Sequence, residues 1–99
     1  MNPQPKTGRH DSKAWRQAVA SLDCVRCGQQ GQTQAAHRNE GKGMAMKTDD
    51  ALTAALCWKC HSEIDQGAGM TREERRSEMD RCIVLTLGEL ARAGRIKIV

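Results

Sequence analysis

The clearest periodic pattern of the chain lies in its last third and predicts a long C-terminal helix. Apolar side chains recur there every three or four residues, which is the spacing of one buried helix face. Thr71 and Glu74 are spaced as in a capping box, so the helix is expected to begin after Thr71, and Gly94 is expected to end it. Residues 95–99 alternate between polar and apolar, which predicts a terminal strand. The apolar stripe of the helix consists of Met79, Cys82 or Ile83, Thr86 or Leu87, and Leu90.

Weaker patterns predict an N-terminal helix and two short strands. Either Asp11 or Ser12 can cap the helix, because both are good N-cap residues. Residues 33–37 and 51–57 are candidate strands, separated by a polar, glycine-bearing loop at residues 38–50. The apolar face of the predicted helix consists of Trp15, Val19 and Leu22.

A further helix is expected at residues 58–66, where Gly67-Ala68-Gly69 would stop it. Residues 1–11 are polar, contain two prolines and are interpreted as a flexible basic tail. The remaining residues, 12–99, are expected to form one domain, because so short a chain suffices for a single core. The predicted fold class is α+β.

Four cysteines form the strongest chemical pattern in the chain. They occur as two C-x2-C pairs, Cys24 with Cys27 and Cys57 with Cys60. Two intervening residues allow both thiolates of a pair to reach one ion, and two pairs complete a tetrahedral site. Soft thiolate ligands favour Zn²⁺ over Mg²⁺ or Ca²⁺. Disulfides and an iron–sulfur cluster are the alternatives for the same residues.

Composition makes a structural metal useful to this chain. Only 38% of the 99 residues are apolar, and the only aromatic residues are Trp15 and Trp58. A small domain with so few core residues often needs a disulfide or a bound metal ion for stability. The fifth cysteine, Cys82, lies in the stripe of the last helix and is expected to be a small buried core residue. The segment between the pairs is longer than in a simple zinc ribbon, so it is expected to carry additional residues with a function.

Net charge and the absence of apolar segments limit the class of partner and the location. The formal net charge of +4 suits a polyanion such as DNA or RNA, although it is also ordinary for a soluble surface. No apolar run approaches the roughly 18 residues of a membrane span. No secretory signal is present either, so a reducing cytoplasm is the expected location. The oligomeric state is not indicated.

Two histidines occupy distinctive positions relative to the cysteine pairs. His37 precedes the glycine-bearing loop, and His61 directly follows Cys60. If a metal joins the two pairs, both imidazoles could face one pocket, where one acts as a base on water and the other helps to hold a cation. Asp50 and Asp65 are the acids best placed to join them. Ordinary surface, capping or helix-face roles are the alternatives for each residue, and Asp49, Asn39 and Glu63 are weaker candidates.

This arrangement resembles the HNH endonucleases of the ββα-metal class that carry a four-cysteine zinc. The matching residues are the two cysteine pairs, Ala-His37, Asp50 and Cys60-His61. Within that class the stretch AAHRNEGKGMAMKTDDALTAALCWKCHSEID is similar to the YbcO-like family of small phage and prophage proteins. The resemblance covers residues 22–66 and implies a small ββα-metal domain in a bacterial host cell, flanked by an N-terminal helix and a long C-terminal helix.

The HNH resemblance implies a role for individual residues. His37 corresponds to the histidine that acts as general base, and His61 to a ligand of a catalytic divalent ion, Mg²⁺ or Mn²⁺. Asp50, the nearest polar residue to the middle position of the motif, and Asp65 would complete that ion's ligands. The zinc held by the four cysteines would be structural. The expected substrate is nucleic acid, DNA first, with Arg38, Lys42 and Lys47 contacting backbone phosphates.

Two positions depart from the HNH pattern and keep a second interpretation open. Ala36 stands where many HNH enzymes have an acid or histidine that binds the metal. Leu52 stands five residues before the third cysteine, where the motif usually has an asparagine. The alternative is therefore a non-catalytic zinc module that binds nucleic acid or a protein partner.

Overall fold

The fold is centred on a two-stranded antiparallel sheet. The computed structural model describes residues 11–38, 49–67 and 69–98. In chain order these contain α1 (Lys13–Ala20), β1 (Thr33–His37), β2 (Thr53–Cys57), α2 (Trp58–Gln66) and α3 (Arg72–Arg92). The α+β class is therefore confirmed, and the long C-terminal helix is α3. None of the described helices is both long enough and apolar enough to cross a bilayer.

The strands pair in a register that runs from Thr33 opposite Cys57 to His37 opposite Thr53. All five residues of β2 are buried. Successive side chains of a strand point to opposite faces, and each face packs against different elements. Ala36 and Leu56 belong to a cluster with residues of α2 and α3, whereas Ala35 and Ala55 pack with α1. The side chains of β2 are therefore buried on both faces of the sheet, by α2 and α3 on one face and by α1 on the other.

The second strand begins two residues later than the sequence pattern suggests. The Asp49 carboxylate accepts a hydrogen bond from the Ala51 amide at 2.9 Å, and the Asp49 carbonyl accepts one from the Leu52 amide at 3.0 Å. These bonds close a turn, because an aspartate side chain can satisfy the amide two residues on. Asp49 therefore caps the turn into β2, as its capping alternative predicted.

The first two helices begin and end with residues that suit those positions. The Ser12 side chain accepts a hydrogen bond from the Trp15 amide at 3.1 Å, which confirms it as the N-cap of α1. Helix α2 follows β2 without a connecting loop, and Cys57 is its N-cap. Gly67 ends α2 with φ 73°, a left-handed conformation that favours glycine. The predicted bounds of α2 agree with the structure.

Helix α3 contains the capping box expected from the sequence. The Thr71 hydroxyl accepts from the Glu74 amide at 3.1 Å, and the Glu74 carboxylate accepts from the Thr71 amide at 2.7 Å. Its buried residues follow the predicted stripe, with Leu87 partly buried beside it: Met79, Cys82, Ile83, Thr86 and Leu90. Gly94 has φ 72° and follows the cap residue Ala93, as expected of a glycine that ends a helix.

The predicted terminal strand is wrong. Residues 95–98 have no strand conformation, although they alternate between polar and apolar. Ile96 packs against the α1 side of the core, while Ile98 is fully exposed. An alternating segment becomes a strand only where another strand offers backbone partners. Here the Arg95 amide bonds back to the Leu90 carbonyl at 2.8 Å, which keeps the segment at the end of α3.

The side of β2 that faces away from β1 is held by side-chain and loop atoms. The Ala55 amide donates to the Thr86 hydroxyl at 2.9 Å, and that hydroxyl donates to the Cys82 carbonyl at 2.7 Å. The Ala55 carbonyl accepts from the Val25 amide at 2.9 Å. Both backbone groups of Ala55 are therefore satisfied without a third strand.

Replacing Thr86 with valine is expected to destabilise the protein, because the buried Ala55 amide would lose its acceptor. The free energy of unfolding should fall by about 1–3 kcal/mol, measured by urea denaturation at neutral pH. Thr86→Ser keeps the hydroxyl and should cost only about 0.8 kcal/mol for the lost methyl group. A valine variant as stable as the wild type would show that this hydrogen bond contributes nothing.

Candidate metal centre and histidine pairs

The first cysteine pair lies in a tight turn docked on β2. The Cys24 carbonyl accepts from the Gly28 amide at 2.8 Å, and the Cys24 amide donates to the Gln29 carbonyl at 3.0 Å. Gly28 adopts φ 84°, which a residue with a side chain would adopt only with strain. The bond between Val25 and Ala55 then fixes this turn against the middle of β2.

The second cysteine pair is fixed by the junction of a strand with a helix. Cys57 is the last residue of β2, and its Sγ accepts from the Cys60 amide at 3.5 Å in the first turn of α2. Both cysteines are buried. Because no loop separates the strand from the helix, the positions of these two sulfur atoms follow directly from the secondary structure.

The four sulfur atoms come together as the sequence predicts. All lie within 4.8 Å of one another, and the Sγ atoms of Cys27 and Cys57 are 3.7 Å apart. Tetrahedral Zn–S bonds of about 2.3 Å would separate the sulfurs by about 3.8 Å. Disulfide sulfurs would be about 2.05 Å apart, and all five cysteines are free thiols. The set can therefore hold a metal ion such as Zn²⁺.

The cysteine site contains thiols with very different acidities. Burial acts to raise the pKa of Cys24, but the amides of Cys57, Cys27 and Arg26 outweigh it and lower that pKa to about 6. Burial raises the pKa of Cys60 to about 12. Since a metal binds thiolates, occupation of the site must release the Cys60 proton.

Arg26 joins the first cysteine turn to both C-terminal helices. Its guanidinium donates to Glu63 of α2 at 2.6 Å and to Glu78 of α3 at 2.8 Å. Glu78 also accepts two bonds from Arg81, which together with Arg26 lower its pKa to about 2. Glu63, a weaker catalytic candidate from the sequence, is thus part of a structural ion-pair network. Sequence inspection missed Arg26, because its partners are far away along the chain.

His37 and Asp50 form the first of two histidine–carboxylate pairs. His37 is the last residue of β1, and its Nε2 lies 2.6 Å from Asp50 Oδ1. Asp50 is only 5% exposed. Its other oxygen, Oδ2, accepts from Arg16 at 2.5 Å and from the Ser12 amide at 2.7 Å. Both oxygens of Asp50 are therefore engaged by protein donors.

The ionisation of Asp50 determines how His37 is protonated. Burial acts to raise the pKa of Asp50, but the bonds from His37, Ser12 and Arg16 outweigh it and lower the pKa to about 2. The carboxylate is therefore ionised at neutral pH and can only accept hydrogen bonds. Nε2 of His37 must then carry the proton, and Nδ1 of the neutral ring keeps its lone pair.

His61 and Asp65 form the second pair. They are one turn apart on α2, with His61 Nε2 3.3 Å from Asp65 Oδ2. The other ring nitrogen of His61 lies 2.9 Å from Gln34 Oε1 on β1. The side chains of His61 and Asp65 are both more exposed than that of Asp50. The pair lies where α2 contacts β1.

The two histidine pairs lie on opposite faces of the hairpin. Gln34, which contacts His61, and His37 are three residues apart on β1, so their side chains point to opposite sides. Asp50 accordingly contacts residues at the start of α1. In the described residues the expected single pocket with both imidazoles is not formed, and the only group of three or more metal-ligating residues is the four-cysteine set.

Comparison with known families places the chain in one of them. A family model described as protein of unknown function (DUF968) matches residues 2–80. The chain belongs to the DUF968 family. No curated protein and no solved structure matches this DUF968 protein. All four cysteines and both histidine–carboxylate pairs lie within the matched residues.

Of the predicted phosphate-contacting residues of this DUF968 protein, the structure describes Arg38. Its guanidinium lies 3.3 Å from Asp80 of α3. Lys42 and Lys47 lie outside the described residues, as do Asn39 and residues 1–10 of the predicted tail. Cys82 is fully buried in α3 and does not belong to the cysteine set, in agreement with its predicted core role.

Proposed function

We propose that this DUF968 protein is a metal-dependent endonuclease of the HNH type that acts on DNA. A structural zinc ion bound by the four cysteines would stabilise its fold. The observation that carries the proposal is the hydrogen bond between His37 and Asp50 at the end of β1. It supplies an oriented histidine whose Nδ1 contacts no partner among the described residues, and a general base for phosphodiester hydrolysis needs such a ring nitrogen. The chain order of strand, strand and helix around the cysteines also supports the HNH resemblance.

His37 would remove a proton from the attacking water. The water oxygen forms a bond to phosphorus as its proton passes to Nδ1 of His37. The bond from phosphorus to the leaving sugar oxygen then breaks, and that oxygen takes a proton from solvent. Asp50 stabilises the imidazolium that results, because its carboxylate lies 2.6 Å from Nε2.

The HNH resemblance implies a catalytic divalent ion held by His61 and Asp65. These residues, however, lie on the face of the hairpin opposite to His37, so an ion bound there would not reach the phosphate attacked beside His37. Mg²⁺ and Mn²⁺ commonly use few protein ligands together with water and phosphate oxygens. Two donors alone make only a partial site, and Asp50 is already occupied by protein donors. A divalent ion that contacts the phosphate would stabilise its charge. We assign no catalytic step of this chain to it.

Binding of DNA would depend on the basic residues around the loop that follows β1. Arg38 is half-buried beside Asp80 and would exchange this partner for a phosphate. Lys42 and Lys47 belong to the same part of the sequence, and the chain carries a net charge of +4. Such contacts are independent of base sequence, so cleavage with little sequence preference is expected.

Replacing His37 with alanine tests the proposal. The zinc-loaded wild type is expected to nick supercoiled plasmid when Mg²⁺ or Mn²⁺ is added, and His37→Ala should be slower by about 100-fold or more. His10→Ala removes the third histidine of the chain, which lies in the predicted flexible tail and outside the HNH-like pattern, and serves as the matched control. Equal rates for His37→Ala and the wild type would show that the cleavage does not depend on this histidine.

A non-catalytic zinc module is the second candidate. Ala36 provides no metal ligand beside His37, and the two histidine pairs lie on opposite faces of the hairpin. Both observations favour a binding role. Retained DNA affinity in gel-shift assays, with no divalent-stimulated cleavage of supercoiled, linear or single-stranded DNA, would establish this function instead.

A further inference from the structure

The start of α1 contacts the carboxylate that orients His37. Two donors reach Asp50 Oδ2 from this helix: the Arg16 guanidinium and the Ser12 backbone amide. Arg16 and Ser12 are one turn apart, and both lie more than 30 residues before Asp50 in the sequence. The helix is thus joined to the proposed site by contacts that local sequence patterns do not contain.

We propose that α1 is part of the functional site, with Arg16 and the Ser12 amide as positioning groups that hold Asp50 against His37. This inference rests on the proposed function for its catalytic meaning. Arg16 and Ser12 bind Oδ2, which leaves Oδ1 directed at Nε2 of His37. Two donors on one carboxylate oxygen prevent the rotation that would let the other oxygen leave the imidazole.

Ser12 makes this arrangement depend on the helix itself. Its hydroxyl caps α1 through the Trp15 amide, while its own amide donates to Asp50. The same residue therefore begins the helix and fixes the carboxylate. Ala18 and Val19 of α1 are buried in the core, which fixes the position of the helix and with it the distance of Arg16 from Asp50. Arg16 also forms an ion pair with Asp11, at 3.3 Å.

Arg16→Met is the decisive variant, because methionine keeps an unbranched side chain like the aliphatic part of arginine but donates no hydrogen bonds. Arg16→Lys restores a positive donor. Arg92→Met is the matched control, since Arg92 forms an exposed ion pair with Glu89 on α3. The readout is the tautomer of neutral His37, measured by ¹⁵N NMR of the zinc-loaded full chain at alkaline pH. Zinc content and the amide spectrum report whether each variant is folded.

In the wild type and Arg92→Met, the neutral His37 ring is expected to carry its proton on Nε2. Arg16→Met should lower the population of this tautomer and reduce kcat for DNA cleavage about tenfold with little change in KM, because the base is misplaced. Arg16→Lys should recover most of both. This split separates positioning of the base from binding of the substrate.

The tautomer is measured without any cleavage, so failure of this inference differs from failure of the proposed function. A wild-type ring protonated on Nδ1, or a tautomer population in Arg16→Met that equals the wild type, overturns the positioning role. A tautomer that responds to Arg16 in a protein without nuclease activity supports the positioning role and overturns the proposed reaction. If Arg16→Met does not fold, Arg16→Lys is compared with Arg16→Gln, and the same two results for the tautomer decide.

Discussion

Cys60→Ala is expected to abolish stoichiometric zinc binding and to leave the chain without a cooperative thermal transition. Structural zinc sites of this type bind with apparent free energies of about 10–16 kcal/mol near pH 7. A small domain has a total stability of about 5–15 kcal/mol. Loss of one ligand is therefore sufficient to unfold it. Zinc content by elemental mass spectrometry and thermal melting by circular dichroism measure the two effects.

Cys82→Ala is the matched control for this prediction. It also removes a buried sulfur atom, but Cys82 does not belong to the cysteine set. One zinc per chain should remain, and the stability should fall by only about 1–2 kcal/mol for the small cavity. The wild type should behave like Cys60→Ala after treatment with a strong chelator. A cooperative melt that persists in metal-free protein would contradict the structural role of the metal.

Asp50→Ala is expected to have the second largest effect on stability. Three donors lose their acceptor at once: the His37 ring, the Arg16 guanidinium and the Ser12 amide. Removing one partner from a fully buried ion pair costs about 3–5 kcal/mol. Because the Arg16 and His37 side chains are 37% exposed and can be hydrated, the expected loss here is about 2–3 kcal/mol. Urea denaturation of zinc-loaded protein at pH 7 measures this loss. Glu89→Ala breaks an exposed pair with Arg92 and should change stability by about 0–1 kcal/mol.

The pH dependence of Asp50→Asn gives an independent check of the same network. The pKa of Asp50 is lowered to about 2 in the folded protein, below its unfolded value near 3.8. The stability that the carboxylate contributes is therefore fully present above that unfolded value and is lost as the pH falls toward 2. The wild type should exceed Asp50→Asn by a difference that shrinks between pH 5 and pH 2. Acid also protonates the thiolates and releases the metal, so the two proteins are compared only at pH values where one zinc per chain is retained. A difference that grows as the pH falls within that range would contradict the assignment.

Local sequence signals predicted much of this fold. β1 and α2 have their predicted bounds, and the capping box of Thr71 and Glu74 is present. These features depend on residues within one turn or one strand of each other. The clustering of the four cysteines was predictable as well, because two C-x2-C pairs in one small domain are typical of ligands that share a metal ion.

Contacts between distant residues were not predictable in the same way. Arg26 contacts acids on two helices, and Arg16 of α1 contacts Asp50 at the turn before β2. Neither contact produces a repeating pattern of residue types from which it could be predicted. At residues 95–98 a local pattern was misleading instead. Their alternation of polar and apolar residues predicts a strand, but among the described residues no strand pairs with them. Gln34 was likewise missed as the residue that contacts His61.

The contact of the first cysteine turn with Ala55 has a consequence for the metal-free chain. In the folded protein the Val25 amide and the Thr86 hydroxyl bond to the outward backbone groups at the middle of β2. When the turn loosens after metal loss, the Ala55 carbonyl becomes available for pairing with another chain. Exposed strand edges are templates for self-association. Chelation should therefore cause aggregation as well as unfolding, and zinc supply during expression should determine the yield of monodisperse protein.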